Sequence, residues 1–245
     1  MGAKNKLKKF SEMAVFPNVV QAGFDEVYQK SHYLKGKWAV DFFKNNNPIV
    51  LELGCGKGEY TVGLAGKYSG KNFLGIDIKG ARMWKGASEA LAGNLKNAGF
   101  LRTRIEMIQS FFAPGEVSEI WITFPDPQIK RLRAKKRLTS AGFLNLYSKF
   151  LKPGGIVHLK TDSEHLYEFT RSVIKINNLP CIEDTADLYK TGIADDILSI
   201  KTHYEALFTE KGFTIKYLKF KLLEDTILVN PPESENQEDN NGNQN

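Results

Sequence analysis

The sequence predicts an α/β fold of the Rossmann-like type, with a mainly parallel, doubly wound sheet. Short apolar segments alternate with amphipathic segments from residue 48 onwards, which is typical of strands alternating with helices. A glycine-rich turn, GCGKG, follows the first of these apolar segments, PIVLEL. Ligands of such sheets bind outside the carboxyl ends of the strands, so functional residues are expected where predicted strands end.

The elements follow from periodicity and turn signals. Within the second helix, apolar residues recur at helical spacing and Gly99 suits the C-terminal cap. Strands are predicted at 48–53, 72–78, 104–109, 119–124 and 155–161, near 181–189, and at 213–221. Helices are predicted at 58–67, at 79–98, from Thr139 or Ser140 to Leu151, after Asp162 or Ser163, and at 202–211.

The chain divides into three segments by composition. Residues 1–47 form a basic N-terminal arm and lead-in helix, residues 48–229 form the folded domain, and residues 230–245 form an acidic tail. The tail is polar apart from its prolines, which predicts disorder. The formal net charge is +6 although the tail carries four acids and no Lys or Arg. A folded body this basic favours a polyanionic partner.

Several classes of protein are disfavoured. The two cysteines, Cys55 and Cys181, lie far apart and in no metal-ligand spacing, so neither a disulfide scaffold nor a metal site is expected. No run approaches the roughly 18 to 20 apolar residues that cross a bilayer. The basic start is followed by Glu12 and Pro17 rather than by an apolar signal segment. A cytoplasmic protein without membrane attachment is predicted, and its oligomeric state stays open.

The glycine turn predicts a nucleoside ligand that carries positive charge. A dinucleotide fingerprint needs its third glycine at position 59, where the chain has Glu59, and a carboxylate there would repel a pyrophosphate. Glu52 precedes the turn, and Asp77 lies 23 residues after Gly54, the usual place for a ribose-binding carboxylate. S-adenosylmethionine fits these features. The alternative is that the glycines only join strand to helix, with Glu52 and Asp77 capping backbone groups.

The stretch FPDPQIKRLRAKKR follows the fourth predicted strand and joins an immobilised acid to a basic run. Two prolines restrict the backbone around Asp126. The cations that follow are interpreted as contacts to an RNA backbone, with Leu132 and Leu138 as anchors, and the basic arm could add to them. The alternative is a solvated charged loop. The proposed backbone contacts are Arg131, Arg133, Lys135, Lys136 and Arg137.

Five motifs in this order resemble the tRNA (guanine-N7-)-methyltransferase family, over about residues 48–215. They are GCGKGEY, GIDIKGARMW, FPDPQIKRLRAKKRL, LKPGGIVHLKTD and THYEALFTEKG. The resemblance implies a class I methyltransferase fold with an antiparallel last strand, and methylation of a guanine in the tRNA variable loop. It implies that the methyl donor is bound by Glu52, Gly54, Gly56, Asp77 and Asp126, and near its adenine by Gln109. It also implies an active-site role for Asp126 and substrate contacts from Lys130, Asp162, Thr202 and Glu205.

This chain departs from the family pattern at two of these positions. Gln128 stands where the family commonly has Trp, and Gln109 aligns where an acid or Asn is frequent. Other interpretations also stay open. Asp162 could cap the following helix, and Thr202 with Glu205 reads as a capping box. The function could be methylation of another RNA or of a small molecule, or RNA binding without catalysis.

The chemistry of guanine N7 suits this set of residues. N7 offers a lone pair, so no proton has to be removed and no general base is needed. Catalysis is then expected from positioning, together with a fixed carboxylate, Asp126, near the base that gains positive charge. Glu205 is the candidate acceptor for guanine N1–H and the exocyclic amine. Lys130 is assigned to phosphate or O6, because donation to N7 would occupy the nucleophile.

Overall fold

A computed structural model describes residues 3–193, 197–200, 203–223 and 226–232, without the side chains of 3–6 and 203–204. The strands are β1 (Val19–Gln21), β2 (Ile49–Leu53), β3 (Asn72–Asp77), β4 (Ala98–Arg102), β5 (Val117–Thr123), β6 (Leu151–Thr161), β7 (Cys181–Thr185) and β8 (Lys216–Lys221). The α-helices are α1 (Ala3–Met13), α2 (Phe24–Val27), α3 (Glu59–Lys67), α4 (Gly80–Ala92), α5 (Ala141–Tyr147), α6 (Glu164–Ile176) and α7 (His203–Glu210). A π-helix covers Trp38–Phe42, and 3-10 helices cover Ile105–Ser110 and Arg131–Lys136.

The strands form one sheet in the order β1-β4-β3-β2-β5-β6-β8-β7. In the part of the sheet with the order β1-β4-β3-β2-β5-β6, all neighbouring strands are parallel. β8 runs antiparallel to both of its neighbours, β6 and β7. The predicted doubly wound sheet with an antiparallel last strand is confirmed. The strand order reverses at β2, whose neighbours are β3 and β5. The crevice outside the carboxyl ends of β2 and β5 is therefore where a ligand is expected.

Apolar residues cover both faces of the sheet, because successive strand residues point to opposite sides. Leu51 and Leu53 of β2 pack on one side in a cluster that includes Trp38 and Phe150. Val50 packs on the other side in a cluster with Tyr60 and Met83. Glu52 shares the face of Val50 and so points towards α3. This alternation places a carboxylate beneath the helix that follows the glycine turn.

The predicted helix over 79–98 is too long. α4 ends at Ala92, because Asn94 adopts a left-handed conformation with φ 52°. The amides of Asn94 and Leu95 then bond to the carbonyls of Leu91 and Ala90, at 3.0 and 2.9 Å. This pair of bonds is a Schellman motif, which ends a helix and turns the chain. Residues 98–102 are consequently free to form β4.

The predicted strand over 104–109 is also wrong. Ile105–Ser110 is a 3-10 helix. The strand that follows α4 is β4 (Ala98–Arg102), which lies before the predicted segment. Ile105, Ile108 and Phe111 all belong to the same apolar cluster, at the three-residue spacing that a 3-10 helix brings onto one face. The other predicted strands and helices are present, with ends shifted by a few residues.

The N-terminal segment packs against the body of the fold. β1 pairs with β4 through Val19–Gln21, and the indole N–H of Trp84 in α4 donates to Glu12 of α1 at 2.6 Å. A Cβ on Gly80, at the start of α4, would lie 2.9 Å from the Phe10 ring. The lead-in helix therefore lies along α4 near the carboxyl end of β3. The acidic tail is predicted to be disordered over residues 230–245. Asn230, its first residue, is described and accepts from the Ala141 N–H at 2.8 Å through its side-chain oxygen, whereas residues 233–245 lie outside the described residues.

Candidate active site

The turn after β2 is formed by three glycines in the left-handed region. Gly54, Gly56 and Gly58 have φ values of 75°, 57° and 74°, which residues with a side chain rarely adopt. A Cβ on Gly58 would lie 2.5 Å from the Phe100 ring, so only glycine fits there. For Gly54 and Gly56 the nearest atoms to such a Cβ lie 3.9 Å away. The turn therefore leaves room for a ligand to approach its backbone.

Asp77 lies beside this turn, at the carboxyl end of β3. Its Oδ2 accepts from the Gly56 N–H at 3.0 Å, and its Oδ1 accepts from the Lys79 N–H at 2.8 Å. The expectation that Asp77 caps backbone groups thus matches its contacts. The side chain is half-buried, and a carboxylate can accept more than two hydrogen bonds. Asp77 both shapes the turn and presents an acceptor next to it.

Glu52 lies under the turn rather than in the open crevice. It is 3% exposed; one oxygen accepts from the Thr61 N–H at 2.8 Å and from the Thr61 hydroxyl, and the other accepts from the Thr123 hydroxyl at 2.7 Å. Burial raises the pKa of the Glu52 carboxyl to about 7, although the hydrogen bonds from Thr61 and Thr123 oppose the shift. Glu52 therefore ties the first turn of α3 to the end of β5, and its contact with a donor stays a prediction.

The loop after β5 presents Asp126 at the rim of the sheet. Phe124 and Gln128, one at each end of the Pro-Asp-Pro segment, are non-glycine residues with φ 47°. Such conformations cost about 1–3 kcal/mol each and persist only where surrounding contacts enforce them. The Phe124 N–H donates to the Lys160 carbonyl at 2.8 Å, and Asp126 Oδ1 accepts from the Gln128 N–H at 3.0 Å. Asp126 is exposed, and its loop begins at the carboxyl end of β5, the strand that pairs with β2.

The prediction that Arg137 contacts an RNA backbone is wrong, because its side chain is 5% exposed. The guanidinium donates to the Gln128 carbonyl at 3.2 and 3.3 Å and to the Ile129 carbonyl at 3.5 Å. It also lies 4.4 Å from the centre of the Phe169 ring. Five donors in a rigid planar fork suit this use. Arg137 therefore closes the loop that carries Asp126.

The other cations of the basic run are exposed on a short helix beside this loop. Lys130 precedes the 3-10 helix Arg131–Lys136, which contains no buried residue. Leu132 is 90% exposed, so its predicted role as an anchor is wrong, whereas Leu138 packs against the apolar core as predicted. The exposed cations are Lys130, Arg131, Arg133, Lys135 and Lys136.

Asp162 follows β6 and does not cap the next helix. The N-cap of α6 is Ser163, whose hydroxyl accepts from the Leu166 N–H at 3.2 Å. The Asp162 carboxyl is half-buried, and burial raises its pKa. Lys216 Nζ donates to the Asp162 carbonyl at 3.2 Å. The capping alternative is therefore excluded for Asp162.

Glu205 lies in the first turn of α7 and is wholly buried. Its carboxylate accepts from Lys160 Nζ at 2.7 and 2.8 Å and from the Tyr189 hydroxyl. Thr202, predicted to bind substrate, lies outside the described residues, so the capping box is not described. The sequence interpretation missed Lys160. A lysine inside the apolar strand GIVHLKT is the signal that could have indicated a buried partner.

The prediction that Gln109 contacts the adenine of the donor is wrong, because Gln109 does not end a strand. It lies in the 3-10 helix Ile105–Ser110 and is exposed, with its amide oxygen 3.5 Å from Lys149 Nζ. The residue at the carboxyl end of β4 is Thr103, whose N–H donates to the Asp77 carbonyl at 3.2 Å. The misplaced third strand caused this error.

The described residues contain neither a cluster of metal ligands nor a helix that could span a membrane. No group of three or more His, Cys, Asp or Glu side chains is arranged to hold a metal ion there. None of the helices in that part of the chain combines the length and apolarity needed to cross a membrane.

Solved structures with the same fold are methyltransferases. The 16S rRNA methyltransferase KamB superposes with a TM-score of 0.54 at 17% identity, covering 80% of this chain and 95% of that chain. A SAM-dependent methyltransferase from Aquifex aeolicus superposes with a TM-score of 0.51 at 12% identity, covering 72% and 82%. At these identities the likeness concerns the fold. The fold, the open glycine turn and the acid-bearing loop define a class I methyltransferase that uses S-adenosylmethionine.

Sequence relatives narrow this class to one family. A family described as "Putative methyltransferase" matches residues 46–218. The tRNA (guanine-N(7)-)-methyltransferase of Bacteroides thetaiotaomicron is 54% identical over 228 residues, covering 93% of this chain and 90% of the relative. The enzyme of the same name from Porphyromonas gingivalis is 52% identical, covering 93% of each chain. This chain belongs to the tRNA (guanine-N7-)-methyltransferase family.

Proposed function

We propose that this chain transfers the methyl group of S-adenosylmethionine to N7 of a guanine in the variable loop of tRNA. The observation that carries the proposal is one continuous loop after β5. This loop presents the exposed Asp126 beside the glycine turn and continues directly into an exposed basic helix. An acid for the base and cations for the phosphates thus come from the same segment.

The residues around the turn fit the donor. Gly54 and Gly56 leave open space over the backbone, and Asp77 provides the negative charge that a cationic nucleoside favours. When bound, S-adenosylmethionine supplies a methyl group carried on a positively charged sulfur. Asp77 would accept from its ribose hydroxyls, as such carboxylates do after the second strand. Glu52 would act mainly through the shape of the turn, because its oxygens already accept from Thr61 and Thr123.

Asp126 has the geometry for electrostatic rather than acid–base assistance. Guanine N7 carries a lone pair, so no proton leaves the base before methylation. The purine gains positive charge in the reaction, and a fixed carboxylate nearby stabilises that charge. The Gln128 N–H, the Arg137 guanidinium and the two prolines hold Asp126 in place. Little reorganisation is then needed at the moment of transfer.

The exposed cations would bind the RNA backbone, and the half-buried Asp162 would lie near the base, whereas a base contact of Glu205 would require its buried carboxylate to become exposed. Lys130 and the lysines and arginines of the 3-10 helix lie on an exposed surface next to Asp126, where phosphates can reach them. Asp162 directly follows β6, the strand beside β5, and Glu205 contacts Lys160 of β6. A base inside folded RNA would have to be extruded to reach this crevice. The substrate contact of Thr202 stays a prediction.

The proposal is tested by mapping the product. Unmodified tRNA is incubated with the protein and with S-adenosylmethionine that carries a deuterated methyl group, and the nucleosides are analysed by mass spectrometry. We expect labelled 7-methylguanosine at one position of the variable loop. Label in another nucleoside, or no label although the donor binds in calorimetry, would overturn the proposal. Asp126→Asn serves as the control with matched size.

A further inference from the structure

Residues 226–232 form a strap that crosses helices α5 and α6. Asn145 of α5 binds the backbone of Leu228 at two points, because its amide donates to the Leu228 carbonyl at 3.0 Å and its oxygen accepts from the Leu228 N–H at 2.9 Å. Asn177, which caps the end of α6, makes the same pair of bonds to Val229, both at 2.9 Å. Leu228 itself is buried in the apolar core. The strap is therefore fixed in place by core packing and by paired backbone hydrogen bonds.

The strap ends beside the 3-10 helix Arg131–Lys136, which we call the basic helix. The Asn230 side chain accepts from the N–H of Ala141, the first residue of α5, at 2.8 Å. A cavity of about 210 Å³ lies between the strap and the basic helix, and its lining includes Asn230, Pro231, Phe169, Arg131, Leu132 and Lys135. The strap therefore delivers the rest of the acidic tail to the exposed cations that are proposed to bind RNA.

The segment that follows the strap and the basic helix carry opposite charges. Residues 233–239 contain four acids, and residues 230–245 contain no Lys or Arg. Residues 127–141 contain six cations and no acid. Seven extended residues span up to about 23 Å, whereas a 3-10 helix of six residues is about 12 Å long. The acids are thus within reach of the whole basic helix.

We propose that residues 233–239 of the acidic tail dock on the basic helix and compete there with the RNA backbone. This inference rests on the proposed function, because it states what occupies the RNA surface before tRNA arrives. The strap raises the effective concentration of the acids to the order of millimolar, so individually weak surface ion pairs suffice. A tRNA, with many phosphates, displaces the tail, whereas a short polyanion competes poorly with it.

The competition has a characteristic dependence on salt. Contacts between the tail and the basic helix are exposed ion pairs, which salt screens. RNA binding weakens with salt as well, because fewer counterions are released favourably. At low salt the tail lowers the apparent affinity for RNA, and at high salt it no longer occupies the helix. The plot of log K against log salt is therefore flatter with the acidic tail than without it.

A tail variant tests the proposal without altering the strap. It combines Glu233→Gln, Glu235→Gln and Glu238→Gln, so the length of the chain and the contacts of residues 226–232 are unchanged. Binding of an unmodified tRNA transcript is measured by fluorescence anisotropy, in the absence of methyl donor. We expect roughly three- to tenfold tighter binding than in the wild type at about 50 mM salt, and no difference at about 400 mM.

The matched control removes the same charge elsewhere. It combines Asp25→Asn, Asp41→Asn and Glu89→Gln, which are exposed and lie in α2, the π-helix and α4. A gain in affinity equal to that of the tail variant would overturn the proposal, since it indicates a diffuse effect of net charge.

A second comparison locates the competition on the basic helix. The tail variant is combined with Lys135→Gln and Lys136→Gln, and its gain over those two substitutions alone should fall below half of the gain in the wild-type background. An undiminished gain would show that the tail acts elsewhere. If tRNA binds neither the wild type nor the tail variant at any salt concentration, the proposed function itself fails.

The contact is also measured directly, without RNA. A carbodiimide joins a carboxylate to a lysine amine only where the two touch, and mass spectrometry should find Lys135 or Lys136 joined to an acid of residues 233–239. An equal mixture of chains with natural and heavy nitrogen shows whether both peptides come from one chain. Joined peptides from two different chains, or none that addition of tRNA suppresses, would contradict docking of the tail on its own basic helix.

Discussion

Asp126 shows how single residues prepare this site before any ligand arrives. The carboxylate accepts from the amide two residues along the chain, and non-glycine residues in left-handed conformations flank it at Phe124 and Gln128. Strain of this kind is found where a loop must hold a side chain in one orientation. Gln128, which departs from the family pattern, contributes its backbone N–H and carbonyl, and these are independent of its side chain. The departure therefore leaves the geometry of Asp126 intact.

Asp126→Ala should reduce methyl transfer on the order of a hundredfold or more, because a preorganised charge near the reacting base is lost. Donor affinity should change by roughly twofold at most, since the open turn and Asp77 remain. Single-turnover kinetics and calorimetry with S-adenosylmethionine measure the two quantities separately. Loss of donor binding with an unchanged rate at saturation would contradict the assigned role.

Arg137→Gln should destabilise the fold by roughly 2–3 kcal/mol, because several buried hydrogen bonds to loop carbonyls are lost. Its effect on the salt dependence of RNA binding should be negligible, since the guanidinium is buried. Urea unfolding and binding titrations at several salt concentrations measure these effects.

Lys136→Gln is the matched control for Arg137→Gln, because Lys136 is the neighbouring residue of the same basic run and is exposed. It should leave stability unchanged and reduce the slope of log K against log salt by about 0.9 per lost phosphate contact. The reverse pattern, with salt sensitivity at Arg137 and stability loss at Lys136, is incompatible with the burial of these two side chains.

At the scale of elements, the sequence predicted most strands but misread residues 79–110. Leu91, Leu95 and Ala98 continue the helical spacing of α4, so periodicity alone runs through the true helix end. The end is set by the left-handed Asn94 and its pair of backbone bonds, and a Gly-Asn pair is only a weak signal of this. Strand β4 was absorbed into the helix, and the alternation of Ile105 and Met107 then suggested a strand that is a 3-10 helix.

The 3-10 helix Arg131–Lys136 should behave as a unit in RNA binding. Reversal of Lys135 and Lys136 to Glu should weaken tRNA binding and flatten its salt dependence, while donor binding is unchanged. Lys44→Glu with Lys96→Glu is a control of equal charge, because both lysines are exposed in the loops that enter β2 and β4 at the opposite edge of the sheet. Equal weakening by both pairs would indicate a diffuse charge effect and would remove the assigned contact surface.

Glu52 connects α3 to β5 and should make stability depend on pH. Its pKa is raised from 4.5 to about 7 in the folded state, so the folded protein binds a proton that the unfolded chain has released. Its contribution is fully present below pH 4.5 and is lost as pH rises through about 7, and it amounts to roughly 3 kcal/mol. The free energy of unfolding should therefore decline as the pH rises, and Glu52→Gln should remove the part of this decline that is due to Glu52. Urea unfolding between pH 4.5 and 8 measures it.

Glu119 provides a control with the opposite sign. Burial opposes its ionisation, but His158 and Lys71 lower its pKa from 4.5 to about 2. Its contribution is present above pH 4.5 and is lost only as pH falls through about 2. Because Glu119 also raises the pKa of the buried His158, the variants are compared above pH 6.5, where Glu119→Gln should leave the slope unchanged. Parallel curves for the wild type and Glu52→Gln in that range would refute the role assigned to Glu52.

At the scale of the whole molecule, the site forms where the strand order reverses. The sequence predicted that the glycine turn, Asp77 and Asp126 end neighbouring strands, because each follows an apolar segment. It could not predict that Arg137 is buried or that Glu205 pairs with Lys160, since these contacts join segments far apart in sequence. Cations in an exposed run and cations in a buried network look alike in composition. Only the fold separates the two.

The most direct test of this account replaces the target guanosine of a tRNA transcript by 7-deazaguanosine. This analogue has a carbon at position 7 and no lone pair there, while its N1–H and exocyclic amine are unchanged. We predict that the transcript accepts no methyl group yet competes with normal tRNA at a similar affinity. Methyl transfer to the 7-deaza transcript would contradict the claim that Asp126 and the glycine turn serve attack by a guanine N7.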